Sequence, residues 1–377
     1  MTGQKSIIVA IHSLFSSDGK PVSGTGASLF DLFSSSNIPF TVFHFPIYGN
    51  YRILKVQHAS SGIRQEKMQQ TPALLLIRTL MESYIVLSAL VKAGKTFLYI
   101  GIDPLNTLWG ILAKYAGRVE RVIYYTADYA DARFGNGPMN AIYHAIDRFC
   151  IRHADQVWNV STRIVDRRLI QGVSKEKNYF VPNAPVSIHS HKNAYHKHWM
   201  VIVGTSTTSL NYDIVLDGLA PLTKKYPDMR LHIIGELNFP EAIQKKITHW
   251  QRKKTIVLHG PLSREKVHAL LRVAGIGLAL YIDKDPWTRY GDSMKIREYL
   301  AAGLPVITTD VVSTSDVIEE FRCGTVIRPD VSDFIRAVDS VYAGTYPATR
   351  KRSIQAARAY SFERMAREPL KAIGITV

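Results

Sequence analysis

The chain has 377 residues, a formal net charge of +16 and a pI near 9.7, and 46% of its residues are hydrophobic. This length indicates two domains with ordinary buried cores, and the composition excludes a disordered or collagen-like chain. Two cysteines, Cys150 and Cys323, exclude a disulfide scaffold and fit a reducing compartment, and the sequence predicts neither a signal peptide nor a membrane span.

In the first half of the chain, short apolar runs alternate with longer amphipathic stretches. The apolar runs predict strands at 6–12, 39–45, 96–101, 121–125, 156–160 and 178–181. Helical periodicity between them predicts helices at 27–35, 73–93, 104–116, 139–153 and 162–171. The alternation predicts a parallel sheet covered by helices on both faces.

The alternation pauses at 182–198, which reads PNAPVSIHSHKNAYHKH. The segment has two prolines and no apolar periodicity, so we interpret 184–198 as a linker between a first domain, 1–183, and a second, 199–360. Its four histidines do not have the spacing of a helical ligand pair. A solvated linker is therefore favoured over a metal site.

The alternation then restarts. Strands are predicted at 199–203, 230–234, 255–258, 275–282, 305–308 and 324–327. Helices are predicted at 211–225, 240–253, 264–273, 293–302 and 331–343. The sequence thus predicts an α/β protein with two doubly wound domains in tandem. Such domains bind ligands at the carboxyl ends of their strands, so two facing domains would form a central cleft for two substrates.

The segment 289–310, RYGDSMKIREYLAAGLPVITTD, carries the strongest chemical signal. Ser293 can cap a helix that begins at Met294, and Lys295 lies in its first turn. Free backbone N–H groups and a positive charge at a helix N-terminus are typical of an anion site. Glu298 shares a face with Lys295 and could accept hydrogen bonds from a ribose diol. An exposed Lys–Glu pair explains the spacing equally well.

Two aspartates follow the predicted strand at 121–125. Asp128 and Asp131 lie where the carboxyl end of a strand would meet a ligand, and either could hold or deprotonate a substrate hydroxyl. A loop-capping role is the alternative for each. His12 and His44 also end strands, and for both a structural role is favoured over that of a base.

Gly24 and Gly26 lie between the first strand and the first helix, where backbone approaches a ligand closely. Position 29 is Leu, so the dinucleotide-binding fingerprint G-x-G-x-x-G is absent. The sequence also lacks a P-loop, which excludes a P-loop ATPase. The DKD at 283–285 is interpreted as a charged loop and not as a metal motif.

Several segments resemble one known family. The run K-x-x-E-Y-L-A-A-G-L-P-V at 295–306 is similar to the donor-site helix of the retaining GT-B nucleotide-sugar glycosyltransferases, also called glycosyltransferase group 1 or family 4. Further similar segments, in the family's order, are SGTGAS at 23–28, HADQVWNVST at 153–162, VPNAP at 181–185, 201–219 with 231–236, 258–280, and YSFERMAREPLKAI at 360–373. The resemblance implies a GT-B fold of two Rossmann-like domains, with a C-terminal helix at 361–377 that returns to the first.

The resemblance also implies roles for individual residues. Glu298 would hold the nucleotide ribose, and Lys295 would neutralise the diphosphate and act in catalysis with Asp128. The remaining donor-site candidates are Gly204, Tyr281, Arg289, Ser293 and Met294, and the acceptor-loop candidates are Gly24, Gly26 and Asp131. The Met294-Lys295 pair and Asp128 are also similar to a subgroup that forms glucuronosyl linkages in exopolysaccharide.

The sequence departs from the family pattern at two positions. Tyr290 stands where a second glutamate usually contacts the sugar, and Asn211-Tyr212 replaces the usual basic residue at the start of a helix. Arg289 or Lys284 could supply the missing charge. Both departures affect the expected sugar contacts more than the fold.

The resemblance predicts transfer of a sugar from a UDP- or GDP-linked donor to a glycan or lipid-linked acceptor, with retention of configuration and without a metal or other cofactor. The positive charge and the absence of a spanning segment predict a cytoplasmic protein that docks on the inner, anionic face of the cell membrane. The predicted contacts are the basic segment 51–67 and the leucine-rich helix at 73–93. A nucleotide-sugar epimerase and a basic nucleic-acid-binding or scaffold protein are the alternatives, and no nucleic-acid motif is present.

Overall fold

The computed structural model describes residues 6–15, 19, 21, 24–47, 51–59, 62–72, 74–135, 137–185, 188, 195–204, 209–236, 238–344 and 346–377. The chain divides into two compact units. Unit 1 comprises Met1–Val186 and Phe362–Val377, and unit 2 comprises Ser187–Ser361. The predicted α/β class and the Rossmann-like architecture of both parts are confirmed.

Unit 1 contains one sheet and six helices within the described residues. Its strands are β1 (Ile7–Ser13), β2 (Phe40–Pro46), β3 (Arg52–Ala59), β4 (Gly62–Gln70), β5 (Thr96–Ile102), β6 (Val119–Thr126), β7 (Gln156–Asn159) and β8 (Asn178–Phe180). Its helices are α1 (Ala27–Ser35), α2 (Leu75–Lys92), α3 (Pro104–Tyr115), α4 (Gly137–His153), α5 (Thr162–Ile170) and, from the C-terminal segment, α13 (Phe362–Ala372).

The sheet of unit 1 has the strand order β4-β3-β2-β1-β5-β6-β7-β8. Strands β2, β1, β5, β6, β7 and β8 are parallel, whereas β3 and β4 form an antiparallel hairpin beside β2. The prediction of a purely parallel sheet is therefore wrong at this edge. The hairpin was not predicted, because β4 is exposed along almost its whole length and lacks the alternation of apolar and polar residues that marks a half-buried strand.

The apolar strands of unit 1 build its core against the helices. Ile8 and Ala10 of β1 and Tyr99 of β5 are buried, and they pack with Ile85 and Val86 from α2. Helices α3 and α4 contribute Ile111, Cys150 and Ile151 to the same core. In the sheet, β1 lies between β2 and β5. The chain adds β2 to β4 on one side of β1 and β5 to β8 on the other, so the direction of strand addition reverses between β1 and β5. Ligands of doubly wound sheets bind at such a switch point.

Unit 2 contains a second sheet and its covering helices. Its strands are β9 (Trp199–Val203), β10 (Arg230–Ile234), β11 (Ile256–Leu258), β12 (Ile276–Ala279), β13 (Val306–Thr309) and β14 (Gly324–Ile327). Its helices are α6 (Tyr212–Lys225), α7 (Glu241–Arg252), α8 (Arg264–Val273), α9 (Met294–Ala301), α10 (Ser315–Phe321), α11 (Val331–Ala343) and α12 (Tyr346–Ala359).

The sheet of unit 2 is parallel, with the order β11-β10-β9-β12-β13-β14. This is the doubly wound order in which the switch point lies between the first and fourth strands, here β9 and β12. Strand β12 ends at Ala279, three residues before the predicted end. Beyond it, Leu280 accepts a hydrogen bond from Asn211 N and Tyr281 forms an isolated bridge with Leu210, so these residues pair with the loop after β9.

The linker lies largely outside the described residues, including His189 and His191. His196 stacks on Trp199 at 3.8 Å between ring centroids, and His198 contacts Asp228 at 2.7 Å. In the part of the chain that the structure describes, no three His, Cys, Asp or Glu residues are grouped so that they could hold a metal ion. Among the same residues, no helix has both the length and the apolar character needed to cross a membrane.

Candidate functional site

The switch point of unit 2 brings together residues from separate parts of the chain. Gly204 follows β9, Tyr281 follows β12, and α9 begins with Ser293 as its cap. Gly204 N donates to Ile234 O, which ties the end of β9 to β10. This cluster lies at the carboxyl edge of the sheet, where the sequence predicts the donor site.

A set of short hydrogen bonds fixes the N-terminus of α9. Ser293 Oγ accepts from Ile296 N and lies 2.7 Å from Tyr281 Oη. Ser293 N donates to Thr314 Oγ1 at 2.7 Å, and this hydroxyl donates in turn to Asp292. The position of the helix end is therefore determined by side chains from three separate segments, and its first turn is held in one orientation.

A buried ion pair adds to this support. Arg297 and Asp292 are 2.9 Å apart, and their side chains are 3% and 1% exposed. Arg297 belongs to α9 and Asp292 precedes its cap, so the pair joins the helix to the loop that leads into it. Breaking a buried pair leaves an uncompensated charge, which costs about 3–5 kcal/mol. Both residues position α9, and neither was singled out from the sequence.

Lys295 lies in the first turn of α9 and crosses the end of β9. Its Cε would be 3.0 Å from a Cβ placed on Gly204, so the side chain occupies the space that the glycine leaves open. Its ammonium nitrogen is 5.8 Å from the centre of the Tyr281 ring. Gly235 is close to the same strand end, because a Cβ there would be 1.7 Å from Gly204 O. The structure thus brings Gly204, Tyr281, Ser293 and Lys295 together, as the resemblance implies.

Glu298 lies one turn further along α9 and is half-buried. Burial raises the pKa of its carboxyl group, while the positive charges of Arg264 and Lys295 oppose the rise. Arg264 is the first residue of α8 and was not predicted as a site residue. A partly desolvated carboxylate favours ligands that donate hydrogen bonds to it, and ribose hydroxyls have that property.

The other donor-site candidates lie beside this helix end in the chain. Met294 is the half-buried first residue of α9, and Arg289 is an exposed residue in a short 3-10 turn, Thr288–Tyr290. Asn211 caps α6, because its side chain accepts a hydrogen bond from Ile214 N. The residue that replaces the family's basic position therefore has a structural role. Lys284 is exposed.

The switch point of unit 1 carries a charged cluster centred on His12. His12 Nδ1 is 2.6 Å from Asp103 Oδ2, and its Nε2 is 3.2 Å from Glu82 Oε2. Burial by itself would lower the pKa of His12, but the two carboxylates outweigh it and raise the pKa to about 10. His12 is therefore an imidazolium at neutral pH and is no general base. This agrees with the structural role favoured from the sequence.

Asp103 holds this cluster in a strained backbone conformation, with φ 89°. It caps α3 by accepting a hydrogen bond from Asn106 N, and the Asn106 amide donates to its other oxygen at 2.9 Å. Strained non-glycine residues are concentrated at functional sites. A sequence signal for Asp103 exists, because an Asp followed by Pro104 at a strand end is typical of a helix cap.

The two aspartates after β6 differ in their surroundings. Asp131 pairs with Arg167 at 2.6 Å and accepts a hydrogen bond from the Tyr129 hydroxyl, which gives it a structural role. Asp128 is exposed. Desolvation by the neighbouring protein raises the pKa of Asp128, Arg133 opposes the rise, and Asp103 adds to it.

The remaining residues of unit 1 that the sequence singled out are Gly24, Gly26 and His44. Gly26 caps α1 with φ 90°, and a Cβ there would be 2.8 Å from the end of Ile102, so a side chain would be both strained and crowded. Gly24 O accepts the hydrogen bond of Ala27 N at the start of α1. His44 is buried and lies 3.0 Å from Ser13 Oγ, and burial lowers its pKa to about 4. It is neutral and structural.

A family model matches a large part of unit 2. Residues 197–343 match the family model described as glycosyl transferases group 1. This match covers most of unit 2 and includes the Lys295–Glu298 helix. No curated protein is similar in sequence to the chain at a significant level.

Solved structures of similar architecture cover nearly the whole chain. The lipopolysaccharide outer core galactosyltransferase WaaB in its apo form has a TM-score of 0.64 at 17% identity, over 97% of this chain and 99% of that one. Anabaena Alr3699/HepE in complex with UDP has a TM-score of 0.67 at 14% identity, over 98% and 99%. A glycosyltransferase from Rickettsia africae has 0.67 at 13%, over 98% of each chain. At these identities the likeness shows the fold.

Proposed function

We propose that the chain is a group 1 glycosyltransferase with the GT-B fold, and that it moves a sugar from a UDP-linked donor to an acceptor hydroxyl with retention of configuration. The observation that carries the proposal is the N-terminus of α9 at the switch point of unit 2. There Lys295 lies against Gly204 in the first turn of α9, where Ser293 Oγ accepts from Ile296 N and the N–H groups of Met294 and Lys295 have no partner within the helix. UDP is preferred to GDP because UDP is the nucleotide in the HepE structure.

The proposed chemistry follows from this charge arrangement. When the bond between the anomeric carbon and the donor phosphate breaks, negative charge develops on the departing diphosphate. Lys295 and the N–H groups of the first turn of α9 would stabilise it, which is where electrostatic help is largest. Because these groups supply positive charge, we propose a reaction that needs no metal or other cofactor. Glu298 would hold the ribose through its hydroxyl groups.

The acceptor is assigned to unit 1 in this proposal. Asp128 is exposed near the carboxyl end of β6 and would orient the acceptor hydroxyl, while the donor phosphate takes the proton. Asp103 and His12 are proposed to shape the floor of this region through their hydrogen bond. The WaaB likeness supports an acceptor in cell-surface polysaccharide or glycolipid assembly, which would place the protein at the inner face of the cell membrane.

A thermal-shift panel tests the proposal. UDP, GDP, ADP and their common sugars are compared, and a ligand at 100 times its Kd should add about 2.7 kcal/mol of stability. We expect stabilisation by UDP and UDP-sugars above the other nucleotides. Release of UDP from a UDP-sugar that depends on added acceptor identifies transfer. Isomerised sugar formed without an acceptor identifies an epimerase instead.

A further inference from the structure

Helix α2 carries a stripe of exposed apolar side chains. Ile77, Leu80, Tyr84 and Val91 follow one another at spacings of three, four and seven residues, which places them on one side of the helix. Leu80 is 61% exposed and Tyr84 is 71% exposed. Leu74, at the helix cap, extends the stripe by one turn. A continuous exposed stripe of this kind marks an interaction surface, whereas scattered apolar residues do not.

The opposite side of α2 is part of the core. Ile85, Val86 and Leu90 are buried, and Met81 packs against the same core. The predicted leucine-rich helix therefore has one buried side and one exposed side. The outer stripe contributes nothing to the core of unit 1, so its apolar character is not explained by folding.

In α2, α3 and α4 the acidic side chains are buried and the exposed charged side chains are basic. These helices contain two acidic residues, Glu82 and Asp147, whose side chains are 4% and 0% exposed. Their exposed charged residues are basic and include Lys92, Arg148 and Arg152. The helices pack side by side, and α3 and α4 add further exposed apolar side chains, which are Leu112, Tyr115 and Ile142.

We propose that this outer face of α2, α3 and α4, which we call the helical face, docks on an anionic lipid surface. The apolar stripe of α2 would enter the boundary between headgroups and acyl chains, and the basic residues would contact the anionic headgroups. A second copy of the chain is a poorer occupant, because a two-fold contact would bring two copies of the same basic surface together, with Lys92, Arg148 and Arg152 on each side. The inference takes from the proposed function only the location of the acceptor.

The basic hairpin β3–β4 is a weaker candidate for this contact. Lys55 pairs with Glu66 at 3.2 Å, which neutralises it. Arg64 and Lys67 are three positions apart on one strand and therefore point to opposite faces of the sheet. The hairpin thus offers neither a single charged face nor an apolar stripe. We assign the contact to the helical face alone.

Vesicle co-sedimentation tests the proposal. The full chain is mixed with vesicles of phosphatidylcholine, or of phosphatidylcholine and phosphatidylglycerol in equal parts, at low and high salt. The double variant Leu80→Gln/Tyr84→Gln should bind anionic vesicles about tenfold more weakly, because apolar area is lost from the contact. Arg148→Gln/Arg152→Gln should lose about fivefold for each charge, and only at low salt. Ile170→Gln is the control. Ile170 is a similarly exposed apolar residue, 76% exposed, but it is the last residue of α5 and does not belong to the helical face.

Three outcomes would overturn the proposal. The first is that neutral and anionic vesicles sediment equal fractions of the wild-type chain, and the second is unchanged vesicle binding by both double variants. The third is a dimer in sedimentation velocity that the Leu80→Gln/Tyr84→Gln variant abolishes, which would assign the stripe to a second copy. UDP stabilisation of each variant is measured in parallel. A chain that binds vesicles but no nucleotide would refute the proposed function without contradicting the proposal that the helical face docks on anionic lipid.

Discussion

Gly204 and Lys295 belong to different elements, yet the lysine side chain fills the space that a Cβ on the glycine would enter, with Lys295 Cε 3.0 Å from that position. The lysine is in the first turn of α9, and the glycine directly follows β9 at the switch point of unit 2. The glycine thereby lets a positive charge reach the carboxyl edge of the sheet beside a helix N-terminus. The proposed diphosphate site rests on this contact between Gly204 and Lys295.

Gly204→Val should displace the Lys295 side chain without breaking the sheet, because the nearest atom is the end of a flexible chain. We expect UDP affinity to fall about tenfold, the loss of one charge-assisted hydrogen bond. Titration calorimetry measures it. Gly137→Val is the control, since a Cβ there would have, among the described residues, no atom within 4 Å other than its chain neighbours and its own helix backbone. Wild-type UDP affinity in a folded Gly204→Val chain would disprove the role of this contact.

Glu298→Gln should weaken binding of UDP-glucose about tenfold and remove its pH dependence. Burial raises the pKa of Glu298 above its ordinary value of 4.5, so its carboxylate is lost earlier than usual as pH falls. In the wild type, affinity should therefore rise with pH through that raised pKa, because the carboxylate is the better acceptor for ribose hydroxyls. UDP-glucose is the probe because its diphosphate does not titrate in this range. A wild-type profile that stays flat from the ordinary pKa to neutral pH would contradict the ribose role.

Asp128→Asn should lower transfer roughly a hundredfold while leaving UDP affinity unchanged, because the acceptor and the donor are assigned to different units. Asp131→Asn is the matched control. It breaks an exposed ion pair with Arg167, which is worth about 0–1 kcal/mol, and should leave transfer intact. Initial rates with saturating donor make the comparison. Equal losses in the two variants would indicate a structural effect of the loop.

His12→Gln should destabilise unit 1 most at neutral and acid pH. Asp103 and Glu82 overcome burial and raise the pKa of His12 from 6.5 to about 10. The stability that this provides is fully present below pH 6.5 and is lost as pH rises through 10. The difference in unfolding free energy between wild type and variant should be a few kcal/mol at pH 7 and shrink above pH 10.

His44→Gln is the control for this measurement. Burial lowers the pKa of His44 to about 4, so it is neutral at pH 7 and above. Its effect on stability should not change between neutral and alkaline pH. Denaturant titrations across the pH range supply both comparisons. A His12→Gln difference that stays constant up to alkaline pH would show that the imidazolium is not stabilised in the folded chain.

The sequence predicted those elements that have a clear local pattern. Strands β9, β10 and β14 and helices α1, α8 and α11 begin and end at the predicted residues, because alternation between short β-type runs and helical periodicity can be read locally. Helix α12 was not predicted, since its sequence YPATRKRSIQAARA is polar and its contact with α9 depends on the fold. The same holds for β4, whose residues pair with β3 while remaining exposed.

Some residues of the candidate sites could be found from local sequence signals, and others could not. Lys295 and Glu298 could be found because a cap, a first-turn lysine and a spacing of three are local signals. Asp103 could not be linked to His12 from the sequence, since the two are 91 positions apart and meet only through the pairing of β1 with β5. Arg264 approaches Glu298 from another helix for the same reason.

The central claim is that a UDP-sugar binds with its diphosphate at Lys295, and calorimetric titration of UDP into Lys295→Ala tests it most directly. The control is Lys224→Ala, which removes an exposed lysine in the last turn of α6. We predict that Lys295→Ala loses at least about tenfold in UDP affinity and roughly a hundredfold or more in turnover, while Lys224→Ala matches the wild type. Wild-type UDP affinity in a folded Lys295→Ala chain would contradict the account and move the anion site elsewhere, with Arg289 the next candidate.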